Sequence, residues 1–245
     1  TVATVLKQGE VLSATHTLAD ADGLGTVVYQ WLANGVAIAG ATGATLTLSQ
    51  AQVGRAISVK ASYTDAMGSA ESVTSAATSA VANVNDAPTG TVSLQRAGIA
   101  VTAATTLKQG EVLSAVHTLA DADGLGAVAY QWLANGVAIA GATGATLTLG
   151  QAQVGKTISV KASYTDGFGA AESMTSAVTA AVANVNDAPA GAVTLSGNAI
   201  QNQTLTAGNT LTDADGMGVV SYQWLANGYA IAGATGTTLT LGQAQ

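Results

Sequence analysis

The sequence predicts an all-β fold, a tandem array of β-sandwich domains, and three observations predict it. The chain repeats itself: Trp31 and Trp132 are 132 − 31 = 101 residues apart, Pro88 and Pro189 are 189 − 88 = 101 apart, and Trp132 and Trp224 are 224 − 132 = 92 apart. Such offsets are the signature of stacked structural units. Apolar residues recur with a period near two, in short runs rich in Val, Thr, Ile and Tyr, which is strand patterning, and a helical period is absent. Gly and Asn punctuate these runs at roughly 8–12 residue intervals, the turn spacing of a sandwich with about seven strands per unit.

The second unit is complete, and its elements follow in order. Strand A is expected at 92–94, B at 112–119, C at 128–133, C′ at 137–142, E at 146–149, F at 157–165 and G at 173–185. Asn135-Gly136 joins C to C′, because both central residues of a type I′ turn need positive φ and this pair tolerates it. Gln151-Ala152-Gln153-Val154-Gly155 makes a corner between E and F. Tyr130 and Trp132 sit two apart on strand C and point to one face. Trp132 is expected to be the only side chain in the unit large enough to fill the centre between two sheets, a role repeated by Trp31 and Trp224. The competing use of these rings is as sugar-stacking platforms. A tryptophan on strand C resembles that of an immunoglobulin-like sandwich, here without the inter-sheet disulfide, since the chain has no cysteine.

Residues 1–88 laid over 102–189 are mostly identical. The third unit resumes at Ala190 and matches the second at the shorter offset from about Gln203, so it is 101 − 92 = 9 residues shorter before Leu205. Gln245 corresponds to Gln153. The expected domains are therefore 1–86, lacking its first strand, 87–187, complete, and 188–245, lacking its last strands.

Composition excludes several classes. Charged residues are 9% of the chain, against about a quarter in ordinary globular proteins. Seven Lys and Arg against 14 Asp and Glu, net −7, cannot neutralise a phosphate backbone, so nucleic acid is not an expected partner. The longest uncharged stretch, 23–54, is broken by Gln30, Asn34-Gly35, Gln50 and many Thr and Gly. No run of about 18 apolar residues exists, and membrane insertion of this segment is not expected. The absence of cysteine removes disulfides, thiolate metal sites and cysteine nucleophiles together, and leaves zinc only His16 and His117. No basic and apolar leader begins at Thr1, so the segment reads as a piece of something longer.

The acids are not scattered. All occupy repeated positions: Glu10 and Glu111; Asp20, Asp22, Asp121, Asp123, Asp213 and Asp215; Asp65 and Asp166; Glu71 and Glu172; Asp86 and Asp187. In a sandwich of this topology the B–C and F–G loops share the pole at which the chain enters, so the exit of one unit meets the entrance of the next. That convergence would gather Asn83, Asn85 and Asp86 from the linker with Asp121, Asp123 and Asp166 from the next unit's loops, and Glu10 would approach from the exit pole. Crowded carboxylates repel, and a hard cation resolves the repulsion: Ca²⁺ takes six to eight oxygens from carboxylates, amides, backbone and water. Asp-Ala-Asp-Gly is equally good turn chemistry without any ion, and the spacing does not fit an EF-hand loop.

Leu119-Ala120-Asp121-Ala122-Asp123-Gly124 and 182–189, Val-Ala-Asn-Val-Asn-Asp-Ala-Pro, resemble the Asp-x-Asp loop and calcium-binding linker of cadherin-like repeats over the whole unit. The resemblance implies Ca²⁺ ligation by Asp121, Asp123, Asn85 and Asp86 at the first junction, and by Asp213, Asp215, Asn186 and Asp187 at the second. Asn83, Asn184 and the first unit's Asp20, Asp22 and Asp65 complete the candidate metal set. The chain departs from the family where the linker opens with Asn83 or Asn184 instead of Asp, where Gln50-Ala51-Gln52 replaces an acidic corner, and where Ala87 replaces a linker Asn; fewer charges imply fewer or weaker ions. Composition and near-identical units are similar to the immunoglobulin-like and cadherin-like repeats of large bacterial surface adhesins secreted by the type I route.

A catalytic trio is the other use of such residues. His16 and His117 each lie four residues before an Asp, with abundant Ser nearby. Asn209 stands at the equivalent position of the third unit, so the architecture does not require an imidazole. Gly23-Leu24-Gly25 lacks the spacing of a phosphate loop, and Glu71 and Glu172 lack a partner in a cleft, so no enzymatic constellation is expected. The expected function is structural: extender repeats of a secreted, cell-surface adhesin or extracellular filament, with Ca²⁺ at the junctions and neighbouring repeats as partners. The alternatives are a self-associating fibre or sheath, which a charge-poor surface would permit, and a glycan- or protein-binding module, for which Tyr229 and Phe168 are the aromatic candidates.

Overall fold

The computed structural model describes residues 5–243; the outermost residues of the first and third repeats, 1–4 and 244–245, lie outside the described residues. The fold is all-β, with short antiparallel strands and two single-turn 3-10 helices among the described residues. Contacts group the chain into two compact units: Thr1–Val92 with His117–Tyr130 and Lys161–Ser176, and Ser93–Val116 with Gln131–Val160 and Ala177–Gln245.

In the first repeat, β1 (Val11–Ser13), β2 (Val28–Ala33), β3 (Val36–Ala37), β4 (Thr45–Thr47), β5 (Ile57–Thr64) and β6 (Ala70–Thr74) supply strands B, C, C′, E, F and G. β1 pairs with β4, and the second sheet has the order β3-β2-β5-β6. Alternation buries one face of each sheet, so Ala14, Trp31, Ala33, Leu48, Ile57 and Val81 form one core with Leu12 and Leu46 packed against it. The middle repeat has β7 (Val92–Arg96), β8 (Ile99–Ala100), β9 (Val112–His117), β10 (Ala129–Ala134), β11 (Val137–Ala138), β12 (Thr146–Thr148), β13 (Ile158–Thr165) and β14 (Ala171–Thr175). Its sheets run β12-β9-β7-β8 and β11-β10-β13-β14, which places strands A, B and E apart from C′, C, F and G as the sandwich requires. The third repeat keeps β15 (Val193–Ser196), β16 (Thr204–Asn209), β17 (Leu225–Ala226), β18 (Tyr229–Ala230) and β19 (Thr238–Thr240).

Trp132 is fully buried, and its indole N–H donates to the Gly144 carbonyl at 2.8 Å. No face of the ring remains for a sugar. It is not the sole large filler, however, since Leu107, Leu113, Leu149 and Ile158 are also fully buried.

Two strand expectations need correction. Strand G ends at Thr175, ten residues before the expected end, because polar side chains take over from the ladder. The pattern is clearest in the first repeat, where the Ser75 and Thr78 hydroxyls accept the Val59 and Ile57 N–H groups, while their own N–H groups donate to the carbonyls of Val59 and Ile57. Strand C′ is two residues long because the preceding glutamine, Gln131, turns its amide onto the carbonyls of Trp132 and Ile139 at 2.9 and 2.8 Å, and Gly141 then turns the chain at φ +74°. The hairpin through Ala97 and Gly98 to β8 escapes the turn rules because Ala97, at φ +50°, is not a residue that favours the left-handed region.

The Asn-Gly hairpin behaves as expected. Asn135 and Gly136 have φ of +48° and +79°, and the Asn135 Oδ1 accepts the Thr157 N–H at 2.8 Å. Asn135→Ala is expected to cost about 1–3 kcal/mol, the sum of left-handed strain and a lost acceptor, as read from a shifted denaturant midpoint; Asn135→Gly should recover the strain component alone.

Candidate metal centre

The entrance pole of each repeat is built by one device. In Asp20-Ala21-Asp22-Gly23 the Asp20 Oδ1 accepts the Asp22 N–H at 2.8 Å, and Gly23 at φ +99° closes the loop onto the Asp20 carbonyl. Asp121 with Asp123, and Asp213 with Asp215, repeat the bond at 2.8 Å. The loop is held close to strand F by a glycine: a Cβ on Gly126 would lie 2.0 Å from the Thr165 carbonyl oxygen. In the first repeat, where a Cβ on Gly25 would lie equally close to the Thr64 carbonyl oxygen, oxygens of Asp20, Asp22 and Asp65 come within 4.8 Å of one another, three carboxylates able to hold a metal ion.

The first seam lies within the first compact unit and joins the linker to the next entrance pole. Asp123 is 4% exposed; its Oδ2 accepts the Asp86 N–H at 2.7 Å and its Oδ1 accepts the Gln50 Nε2–H at 2.9 Å. Asp86 accepts from the Gln8 amide at 2.8 Å, and Asn85 donates to Glu172 Oε1 at 2.7 Å. Asp166, 7% exposed, uses Oδ1 to accept the N–H groups of Phe168 and Ala170, and the neighbouring Gly167 N–H donates to the Asp123 carbonyl at 3.0 Å. Asp121 is taken by Tyr164 and by the Asp123 N–H. Among the described residues, Gln50 Oε1, Asn83 Oδ1 and Asp166 Oδ2 at this seam are buried and without a hydrogen-bond partner.

The second seam, within the second unit, repeats the contacts. Asp215 accepts the Asp187 N–H at 2.8 Å and the Gln151 amide at 3.2 Å, while Asp187 accepts from Gln109 at 2.8 Å. The Asp187 N–H, then the Asn184 amide, hold Asp215 below the ordinary aspartate range. Asn186 turns onto the Asp187 carbonyl at 2.9 Å, and Asp213 holds the Asp215 N–H. Gln151 Oε1 is the buried, unpartnered oxygen here. Asp215 itself is exposed, unlike Asp123.

Buried acceptors are nearly always paired, and leaving one unpaired costs about 1–3 kcal/mol. Unpartnered oxygens on Gln50, Asn83 and Asp166 are of the type that a hard, oxygen-seeking cation takes, although among the described residues the acidic side chains with oxygens within 4.8 Å of one another are Asp20, Asp22 and Asp65. Gln50 and Gln151, which sequence reasoning treated as the loss of an acidic corner, are seam residues in their own right, and Gln8 and Gln109 escaped notice altogether. The signal was present: both glutamines recur in the third repeat as Gln201 and Gln243.

The exit-pole acids are engaged by local partners. Glu10 accepts the Lys7 N–H at 3.1 Å, and Glu111 accepts the Lys108 N–H at 3.0 Å and pairs with Arg96 at 2.9 Å. Partial burial pushes the Glu111 pKa up, but the Lys108 N–H and Arg96 outweigh it and hold the carboxyl below its ordinary value. A depressed carboxyl contributes stability present above its unfolded pKa and lost as pH falls through the folded one. The second unit is thus expected to lose stability on acidification below the ordinary glutamate range, and Arg96→Ala to flatten that part of a melting-temperature profile against pH.

The hydrolase-like trio is not assembled. Asp20 gives its oxygens to Tyr63 and to the Asp22 N–H. His117 accepts the Leu119 N–H at 3.3 Å and lies 6.3 Å, ring to ring, from Tyr130. In the third repeat Asn209 likewise accepts the N–H two residues on, that of Leu211, and also donates to the Tyr222 hydroxyl, so the position is a strand-end cap. Tyr229 and Phe168 are exposed, at 80% and 55%.

No family model matches the chain, and no curated protein matches it. Among solved structures, a Ca²⁺-stabilised adhesin, described as helping an Antarctic bacterium reach out and bind ice, aligns with 84% of this chain at 17% identity and a TM-score of 0.32. The chain spans 58% of that neighbour's length, and the structural similarity is weak. No helix among the described residues is long and apolar enough to cross a membrane.

Proposed function

We propose that this chain is a run of structural extender repeats, bounded near 86 and 187, of an extracellular adhesin or surface filament, and that Ca²⁺ bound at each seam stiffens the array. The carrying observation is the set of buried oxygens without donors at the seams, Gln50 Oε1, Asn83 Oδ1 and Asp166 Oδ2 at the first and Gln151 Oε1 at the second. Asp123, Asp166, Gln50, Asn83 and Asp86 would hold the ion at the first seam; Asp215, Asn184, Gln151 and Asp187 would hold one at the second. Bound there, the cation would supply the positive charge that the chain's own neutral donors do not. The seam's hydrogen bonds position these groups, and the ion would join oxygens from the linker to those of the next repeat. The cell-surface setting is supported by the resemblance of the Asp-x-Asp loop and linker to cadherin-like adhesin repeats.

Calorimetric titration of the metal-free chain with Ca²⁺ tests the proposal. Saturable binding that Asp123→Asn diminishes is expected, and a flat trace would remove the cation. Small-angle scattering tests the stiffening: the maximum dimension is expected to fall on chelation, and an unchanged dimension would leave the ion without a mechanical role.

A further inference from the structure

The two aspartates of each entrance loop are in different positions to act. Asp123 faces the linker, with both oxygens directed at groups of the preceding repeat, the Asp86 N–H and the Gln50 amide. Asp121 faces inward: one oxygen accepts the Asp123 N–H at 2.8 Å and the other accepts the Tyr164 hydroxyl. The first repeat repeats the arrangement, with Asp20 taking the Asp22 N–H and the Tyr63 hydroxyl, each at 2.8 Å.

The tyrosine is well suited to anchor such a contact. It stands on strand F, in β5 and β13, and Tyr164 is 5% exposed, so its ring is fixed by packing and its hydroxyl has little alternative to the carboxylate. A phenol-to-carboxylate bond is charge-assisted and among the stronger side-chain contacts.

We propose that the first aspartate of the second repeat's loop, Asp121, is a positioning residue and not a metal ligand, and that Tyr164 is the anchor through which it fixes the second aspartate. The chain runs from a rigid strand F through the phenol to Asp121, from Asp121 to the Asp123 N–H, and so to the carboxylate that meets the linker. This rests on the cation proposed above, and it assigns a division of labour within the Asp-x-Asp motif. Groups that orient a ligand from behind commonly change metal affinity by 10–100-fold when removed.

A double-mutant cycle on the full chain tests it, with Ca²⁺ alone as the probe. Tyr164→Phe and Asp121→Asn are each expected to raise the dissociation constant of the binding lost in Asp123→Asn by about tenfold, and the double variant is expected to be no weaker than either single one, because both break the same brace. If Asp121 were itself a ligand, Asp121→Asn would abolish binding as Asp123→Asn does and the double variant would be weaker still, which overturns the assignment. An unchanged affinity in Tyr164→Phe, with only a lowered melting temperature, also overturns it. Amide exchange in chelator keeps the brace separate from the ion. Faster exchange at the Asp123 N–H in Tyr164→Phe supports the brace even if no variant binds Ca²⁺, and unchanged exchange counts against it.

Discussion

Chelating divalent cation is expected to lower the melting temperature by on the order of 10 °C. A ligand present at a hundredfold its dissociation constant stabilises the folded state by about 2.7 kcal/mol per site, and each kcal/mol moves the midpoint of a domain this size by about 4–8 °C. At the first seam Asp123 is 4% exposed and its partners are neutral, so without a cation its carboxylate is held in a poorly solvated place. Calorimetry in calcium and in chelator, compared with Asp123→Asn, measures the effect. Asp123→Asn should narrow the gap between the two buffers; coincident wild-type curves would mean that the hydrogen bonds from Gln50 and Asp86 alone close the joint.

Trp132→Ala is expected to cost about 3–5 kcal/mol, the usual loss when a buried large aromatic is removed from a packed core. The indole is fully buried and hydrogen-bonded to Gly144, so the change removes both packing and a satisfied donor, and strands the Gly144 carbonyl. Small domains are stable by only about 5–15 kcal/mol, so the middle repeat should lie near its unfolding threshold. Denaturant unfolding followed on the remaining tryptophans checks this; an unchanged midpoint would show that the indole does not hold the core of the middle repeat together.

Much of this architecture is legible in a one-dimensional pattern because strand alternation is local. Val, Thr and Tyr at every second position, with Asn-Gly between two runs, suffice to place strands C and C′ and to set Trp31 and Trp132 inward. The end of strand G was not legible, because the Ser75 and Thr78 hydroxyls that replace ladder carbonyls look like any surface Ser or Thr until the opposing N–H groups are known. The candidate site divides in the same way. That acids sit on loops at repeated positions is plain in the chain; that Glu111 is spent on Arg96, and Asp121 on Tyr164, is not.

The repeat length follows from the recurrence of the sequence, and the strand segments, the inward tryptophans and the loops that carry the aspartates follow from residue spacing, since alternation and turn chemistry depend on neighbours a few positions apart. The partners of those aspartates were settled in three dimensions. Gln50 lies 73 residues from Asp123, and Gln8 lies 78 from Asp86. A carboxylate's role is set by which donors and buried oxygens surround it, and that depends on distances that no spacing rule along the chain encodes.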